Sequence, residues 1–169
     1  MTMKNTFLVI DTETGGLNPE INSILSIAGV VWAPRGEISK LFDLYVQEPT
    51  LNVEDQALKV NKIDLADVYK HGLTPEVAVG YIRGTLDAHF GTDRRPIQLV
   101  GHNVAIDLGF IRRLYRLAGA NFKDDFRDRA LDSCSILQFL MISGKIKGFR
   151  ASADVLFESA GVKIDEKDR

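Results

Sequence analysis

The sequence predicts an α/β fold in which a mixed sheet, an antiparallel three-strand meander extended by parallel strands, is flanked by helices. Three observations carry that expectation. Branched apolar runs lie close together near the N-terminus, and two of them are joined by a turn-rich connection that reads as a hairpin. Farther along, short apolar runs alternate with stretches of helical periodicity, the pattern that lays parallel strands beside the first ones. Finally, 169 residues with 45% hydrophobic content build one full-sized core, so a single domain over residues 1–169 is expected.

Residues 7–10, Phe-Leu-Val-Ile, form the first strand, four apolar side chains in a row that must be buried on both faces. Residues 21–32 and 38–46 are the next two strands, and Pro34-Arg35-Gly36 turns the chain between them. Beyond Pro49 the signal becomes helical. Residues 53–60 and 64–70 read as short helices, and Thr74-Pro75-Glu76 opens a longer one to about Phe90, with Thr74 as N-cap and Pro75 at the first helical position. Gly80 and Gly84 weaken that helix or let it pack closely. Residues 96–101 read as a second buried strand. The helix at 105–118 carries Ile106, Phe110, Ile111, Leu114 and Leu117 on one face and Arg112, Arg113 and Arg116 on the other. A strand near 129–131 and helices near 133–142 and 151–160 complete the chain.

Chemistry enters at the end of the first strand. Asp11 and Glu13 stand at i and i+2, so they share one face of a rigid strand, where two like charges repel unless a cation lies between them. Hard oxygen donors in that arrangement suit Mg²⁺ or Mn²⁺, which keep coordination positions open for water and phosphate oxygens. A strand that merely ends in a polar turn, with Asp11 and Thr14 bonded to backbone, is the competing explanation. Asp107 lies in the first turn of the helix that follows the second buried strand. Ligands gather at that place in open α/β sheets, and an acidic residue there also complements the helix dipole. His102 and Asn103 occupy the turn just before it, where such side chains bond either backbone or ligand.

Composition narrows the classes. A formal charge of −2 offers no overall basic signature, so affinity for nucleic acid has to come from a local patch or from bound metal. Cys134 is the one cysteine, expected as a small core residue in a reducing compartment. The N-terminal residues lead at once into a strand without a long apolar segment, which predicts a cytoplasmic protein with no membrane partner.

Asp11-Thr12-Glu13-Thr14 after an apolar strand, then Gly101-His102-Asn103-Val104-Ala105-Ile106-Asp107 opening a helix, closely resembles the first two motifs of the DEDD-type 3′-to-5′ exonucleases. That family includes proofreading subunits of bacterial replicative polymerases, RNase T and oligoribonuclease, and the resemblance implies an RNase H-like fold. It implies that Asp11, Glu13 and Asp107 are catalytic and are three of four carboxylates holding two Mg²⁺ or Mn²⁺ ions. Thr14 and Leu17 sit where relatives contact the terminal nucleotide, and His102 and Asn103 flank that site. Asp132 resembles a position that is mainly structural, and Gly16 replaces a threonine common among relatives. The substrate so implied is a single-stranded 3′ end, DNA ahead of RNA, cut to nucleoside monophosphates, with a DNA polymerase subunit as a further partner. A catalytically defective module that binds nucleic acid or polymerase through Arg112, Arg113, Arg116, Lys145, Lys147 and Arg150 is the alternative.

The DEDDh branch has a third motif, a histidine base followed five positions later by the fourth aspartate. His71 and His89 lack that aspartate, and His102 with Asp107 belongs to the second motif. Residues 149–164 resemble the segment just before the third motif, so the sequence reads as an exonuclease domain without its C-terminal end, nearly inactive yet able to bind metal.

Overall fold

In the computed structural model, residues 6–33, 36 and 38–147 are described. The chain runs β1 (Phe7–Thr14), β2 (Ile24–Trp32), β3 (Ser39–Tyr45), α1 (Asp55–Asn61), α2 (Leu65–His71), α3 (Pro75–Phe90), β4 (Leu99–Gly101), α4 (Ala105–Leu117), α5 (Phe122–Asp125), β5 (Leu131–Asp132) and α6 (Ser133–Ile142). The sheet order is β3-β2-β1-β4-β5. β1 pairs antiparallel with β2, β2 antiparallel with β3, and β4 joins β1 in parallel through Leu8 opposite Leu99 and Val9 opposite Val100. β5 continues in parallel beside β4. The predicted meander extended by parallel strands is therefore the observed sheet.

Packing explains the elements. Leu8 and Ile10 project from β1 into a core shared with Ile27 of β2, Phe42 of β3, Ile82 and Leu86 of α3, and Phe110, Ile111 and Leu114 of α4, all essentially without solvent exposure. β2 bulges at Gly29, where an added Cβ would lie 2.3 Å from the Phe42 ring, so only glycine lets the ring close over the strand.

Several boundaries move. Asn18 and Asn22 fold residues ahead of β2 into a turn, with Asn22 N–H bonded to the Asn18 carbonyl at 2.8 Å, so β2 begins at Ile24 rather than at 21. The apolar run at 96–101 contributes only Leu99–Gly101 as strand; Ile97 makes a single bridge to Phe126. Asp64 is outside α2 and caps it, accepting from Ala66 N–H at 2.8 Å. Thr74 and Pro75 open α3 as expected, and Gly80 and Gly84 face open space rather than a neighbouring element. The short helix α5 was not foreseen. Cys134 is half-buried on α6, its Sγ accepting from Gln138 Nε2 at 3.3 Å, and α6 contributes no buried residue. The helix expected at 151–160 lies outside the described residues. Among the described residues no helix is long and apolar enough to cross a membrane.

Candidate active site

The topology gathers the carboxyl ends of β1, β4 and β5 at one edge of the sheet, the place where open α/β sheets present their ligand groups. Asp11 and Glu13 lie near the end of β1 and Asp107 in the first turn of α4, which starts four residues after β4 ends at Gly101. Strand alternation puts Thr12 on the same side as Leu8 and Ile10, toward the core from which α4 approaches, and Asp11 and Glu13 on the other side. The link between the two motifs is Thr12. Its backbone N–H and its hydroxyl both donate to Oδ1 of Asp107, at 2.9 and 2.7 Å.

The electrostatics are one-signed. Burial pushes Glu13 up to about 7, and the charges of Asp11 and Asp107 add to that rise. Burial also lifts Asp107 above the usual carboxylate range, against the two Thr12 hydrogen bonds, and Asp11 contributes to the lift. Asp11 itself, though it opens to solvent, is raised by the protein packed around it, with partial relief from the Thr12 N–H. Three carboxylates that each resist ionisation, all through burial and Glu13 and Asp107 also through their neighbours' charge, form a donor set that a divalent cation would satisfy. They are within electrostatic reach of one another, but among the described residues no three His, Cys, Asp or Glu stand close enough to serve as a finished metal cage.

Of the four predicted substrate residues, Thr14 and Leu17 border a cleft of about 230 Å³, lined also by Glu13, Gly16, Glu54, Gln56, Ala57, Val60 and Asn61, and His102 and Asn103 do not. Leu17 and Val60 are strongly exposed, at 79% and 70%, although both are apolar. Thr14 is fixed twice: its hydroxyl donates to Gly16 O at 2.6 Å, and its carbonyl accepts from Asn61 Nδ2 at 3.0 Å. Gly15 N–H reaches Ser23 O and Gly15 O accepts from Glu54 N–H, each at 2.7 Å, and an added Cβ would meet Asn52 O at 2.4 Å. At Gly16 a Cβ would meet the Asn22 side chain at 2.4 Å; Asn22 fills the space a larger residue would need, anchored to Glu54 Oε1 at 3.0 Å.

His102 and Asn103 are held toward β5 and α6. His102 Nδ1 lies 3.0 Å from Ser133 Oγ. Asn103 adopts φ 56°, the left-handed region that asparagine tolerates, and its N–H donates to Asp132 Oδ1 at 2.8 Å. Asp132 also accepts from Cys134 N–H at 3.1 Å and from Ser135 Oγ at 2.7 Å, so it caps α6 and ties the second motif to that helix, in keeping with a structural role.

The arginine face of α4 is not a free basic surface. Arg113 Nε and Nη2 grip Glu48 at 2.9 and 2.7 Å, Arg116 pairs with Glu20 at 3.0 Å, and Arg112 lies over the Phe122 ring at 5.1 Å with Asp128 at 3.6 Å. Lys145 and Lys147 are exposed, and Arg150 is outside the described residues. Sequence reasoning missed Thr12 as the clamp on Asp107, and it missed the α1 wall of the cleft, Gln56, Ala57, Val60 and Asn61. Thr12 could have been suspected from its place between two carboxylates. Nothing in the α1 sequence announces a site.

Comparison with known proteins agrees with this geometry. An exonuclease family model, RNase T, matches residues 8–167. A "DNA polymerase III subunit epsilon-like protein" of Rhodobacter capsulatus is 31% identical over 169 residues, 98% of this chain, and the chain spans 21% of that relative's length. Among solved structures, Exonuclease I of E. coli in complex with a dT13 oligonucleotide superposes with a TM-score of 0.71 at 15% identity, over 95% of this chain and 36% of that one. Exonuclease I bound to the inhibitor BCBP superposes at 0.75 and 14% identity, over 98% and 38%. The last two comparisons speak to the fold, which is RNase H-like. With the family model spanning nearly the whole chain, the protein belongs to the RNase T exonuclease family, DEDD-type nucleases that hydrolyse phosphodiester bonds.

Proposed function

We propose that this chain removes nucleotides from the 3′ end of single-stranded DNA, with Asp11, Glu13 and Asp107 as the residues that would hold two Mg²⁺ or Mn²⁺ ions. The observation that carries the reading is the meeting of Asp107 with Thr12 between the two β1 carboxylates, directly beside the exposed Leu17 cleft. Such ions, when bound, supply a water acidic enough to attack at neutral pH and positive charge for the leaving oxygen. The protein's own residues do the rest. Thr12 holds one oxygen of Asp107 still. Asp11 and Glu13 present their oxygens from a strand that cannot shift without breaking its β2 pairing. Leu17 offers an apolar surface on which a terminal base stacks, and the backbone loop around Gly15, closed by Ser23 and Glu54, keeps that surface in place.

The choice of DNA is supported by the dT13 complex of the structural neighbour, and a polymerase subunit as partner by the epsilon-like name of the Rhodobacter relative; both are carried over from those proteins. The alternative of a purely nucleic-acid-binding module loses its main support, since Arg112, Arg113 and Arg116 are engaged within the chain. The test uses 5′-labelled single-stranded DNA and RNA of equal sequence with Mn²⁺. The expected result is a ladder that shortens slowly from the 3′ end, in keeping with a sequence in which no third-motif histidine is found, faster on DNA and abolished by Asp11→Ala. Internal cuts, or turnover indifferent to Asp11→Ala, would overturn the reading; faster turnover of RNA would overturn the choice of sugar.

A further inference from the structure

The far end of the sheet carries a second feature that the carboxylate site does not use. Where β1 begins, a cavity of about 490 Å³ is lined by Thr6, Phe7, Phe90, Arg94, Arg95, Pro96, Ile97, Gln98 and Arg127. It is about 20 Å from Glu13, the run of β1 at ~3.3 Å per residue. Its frame is rigid: Ile97 N–H donates to Asp125 O at 2.8 Å, Arg127 N–H to Ile97 O at 2.9 Å, and Leu8 N–H to Gln98 O at 3.2 Å.

The charges around it are unusual within this chain. Arg83, Arg94, Arg112, Arg113 and Arg116 all form ion pairs. Among the described residues, the arginines without an ion pair are Arg95, Arg127 and Arg129, and all three belong to this one corner. Arg127 donates through Nε to Pro96 O at 3.0 Å, and Gln98, on the cavity wall, donates to the backbone carbonyl of Arg129 at 3.2 Å, which brings the backbone of the third arginine alongside. Among the described residues no carboxylate lines the cavity. Exposed guanidinium groups gathered without counter-charge raise the local potential, and their planar fork matches phosphate oxygens. Beside them Phe7, stacked on Trp32 at 5.6 Å, Phe90, which packs against the core, and Pro96 form the apolar part of the wall, a partly covered surface of the kind that bases pack against.

We propose that this cavity is a nucleotide-phosphate site, with Arg95 and Arg127 on the phosphate and the Phe7–Phe90 wall under the base. The volume falls within the range of about 300–1,000 Å³ typical of small-ligand sites, so one nucleotide is the unit it takes, either free or as a link in a single strand. An acidic peptide would satisfy the arginines but would leave the aromatic wall without a role. The assignment does not rest on the cleavage chemistry, because the two sites lie at opposite ends of β1.

The experiment measures equilibrium binding in EDTA, which removes metal-dependent contributions and cleavage. Thymidine 5′-monophosphate and a labelled dT12 oligonucleotide are the two nucleotide probes, and a hexapeptide of alternating Asp and Glu is the third. The expected result is saturable binding of at least one nucleotide probe, weakened tenfold or more by Arg95→Ala with Arg127→Ala and unchanged by Asp11→Asn. Arg95→Ala alone, which removes no contact within the protein, should already weaken binding severalfold. Binding of the monophosphate points to a free nucleotide as the ligand, and binding of dT12 alone to a strand; either supports the site. No binding of either nucleotide probe overturns the proposal. So do equal affinities in the wild type and the double variant, loss of binding on Asp11→Asn, or a hexapeptide that outcompetes both nucleotide probes.

Discussion

Thr12 carries more of the site than its chemistry suggests. Through two hydrogen bonds it decides which way Asp107 faces, and its hydroxyl is the stronger candidate for that choice because it donates to a charged oxygen at 2.7 Å. Thr12→Val keeps the shape and the backbone N–H but removes the hydroxyl. We expect divalent-metal affinity to fall about 10–100-fold, the usual consequence of losing a residue that orients a ligand, with a loss of about 1–3 kcal/mol in stability by urea titration. Glu13 gives a second expectation. A carboxyl group raised from 4.5 to about 7 destabilises the folded state once it ionises there, so the metal-free protein keeps the contribution below pH 4.5 and loses it as pH climbs through 7. Bound Mg²⁺ or Mn²⁺ would favour the ionised form. The thermal midpoint should therefore rise more on adding Mn²⁺ at pH 8 than at pH 5, and Glu13→Gln should flatten that difference. The positions of Asp11 and Glu13 on β1 and of Asp107 in the first turn of α4 were legible in the sequence, while their joint role came from the family resemblance. That Asp107 turns to Thr12 was not legible, since a hydrogen bond between residues so far apart in the chain leaves no local trace.

At the scale of elements, the long amphipathic patterns translated directly. The apolar spacing of α4 became buried Phe110, Ile111 and Leu114, and the Thr74-Pro75 start of α3 fell where the capping chemistry put it. Short elements escaped for a physical reason: α5 is one turn, too short for periodicity to register, and it exists to deliver Asp125. Asp125 is 1% exposed and is held by Arg83 at 2.8 Å, by Arg94, and by Tyr115 Oη at 3.1 Å. Burial would raise its pKa, but the two guanidinium groups and the tyrosine hydroxyl overcome that and hold it below the ordinary value. Its contribution is thus present at neutral pH and lost as pH falls below about 4. Asp125→Ala leaves two arginines facing a buried gap and should cost about 3–5 kcal/mol in denaturant unfolding. Gly80 and Gly84 make the opposite case. Each sits within a helix with nothing within 4 Å of an added Cβ. Gly80→Ala and Gly84→Ala should each stabilise by about 0.5–1 kcal/mol, read as a higher thermal midpoint.

At the scale of the whole molecule, one ion pair ties α4, the helix that carries Asp107, to the outer sheet. Glu48, just past β3 and 3% exposed, accepts from Arg113 of α4, from Ile24 N–H at 3.1 Å and from Ser23 Oγ at 3.1 Å, while Arg113 also reaches Pro19 O at 3.2 Å. From sequence the arginine read as part of a polar helix face, offered to nucleic acid only in the alternative reading, because periodicity shows which face of a helix is polar without showing what that face meets. Arg113→Ala would strand a buried carboxylate, so it should destabilise by about 3–5 kcal/mol and loosen the loop bearing Leu17. A loss of stability with unaltered salt dependence of DNA binding would separate that role from a phosphate contact.

The strand order has a consequence in time. β1 sits at the centre of the sheet, but its partner on one side, β4, pairs Leu8 with Leu99, so the ribosome has made nearly a hundred residues before that edge can close. The meander β1–β2–β3 is complete at Tyr45, so about 54 residues remain before Leu99, and at about 5–20 residues per second the edge along Leu8, Val9 and Ile10 stays open for roughly 3–11 s. An open apolar strand edge is a template for pairing with other chains. The nascent chain is therefore most prone to aggregation between the completion of β3 and the arrival of Leu99 and Val100, and the strand left open in that interval is the one that carries Asp11 and Glu13.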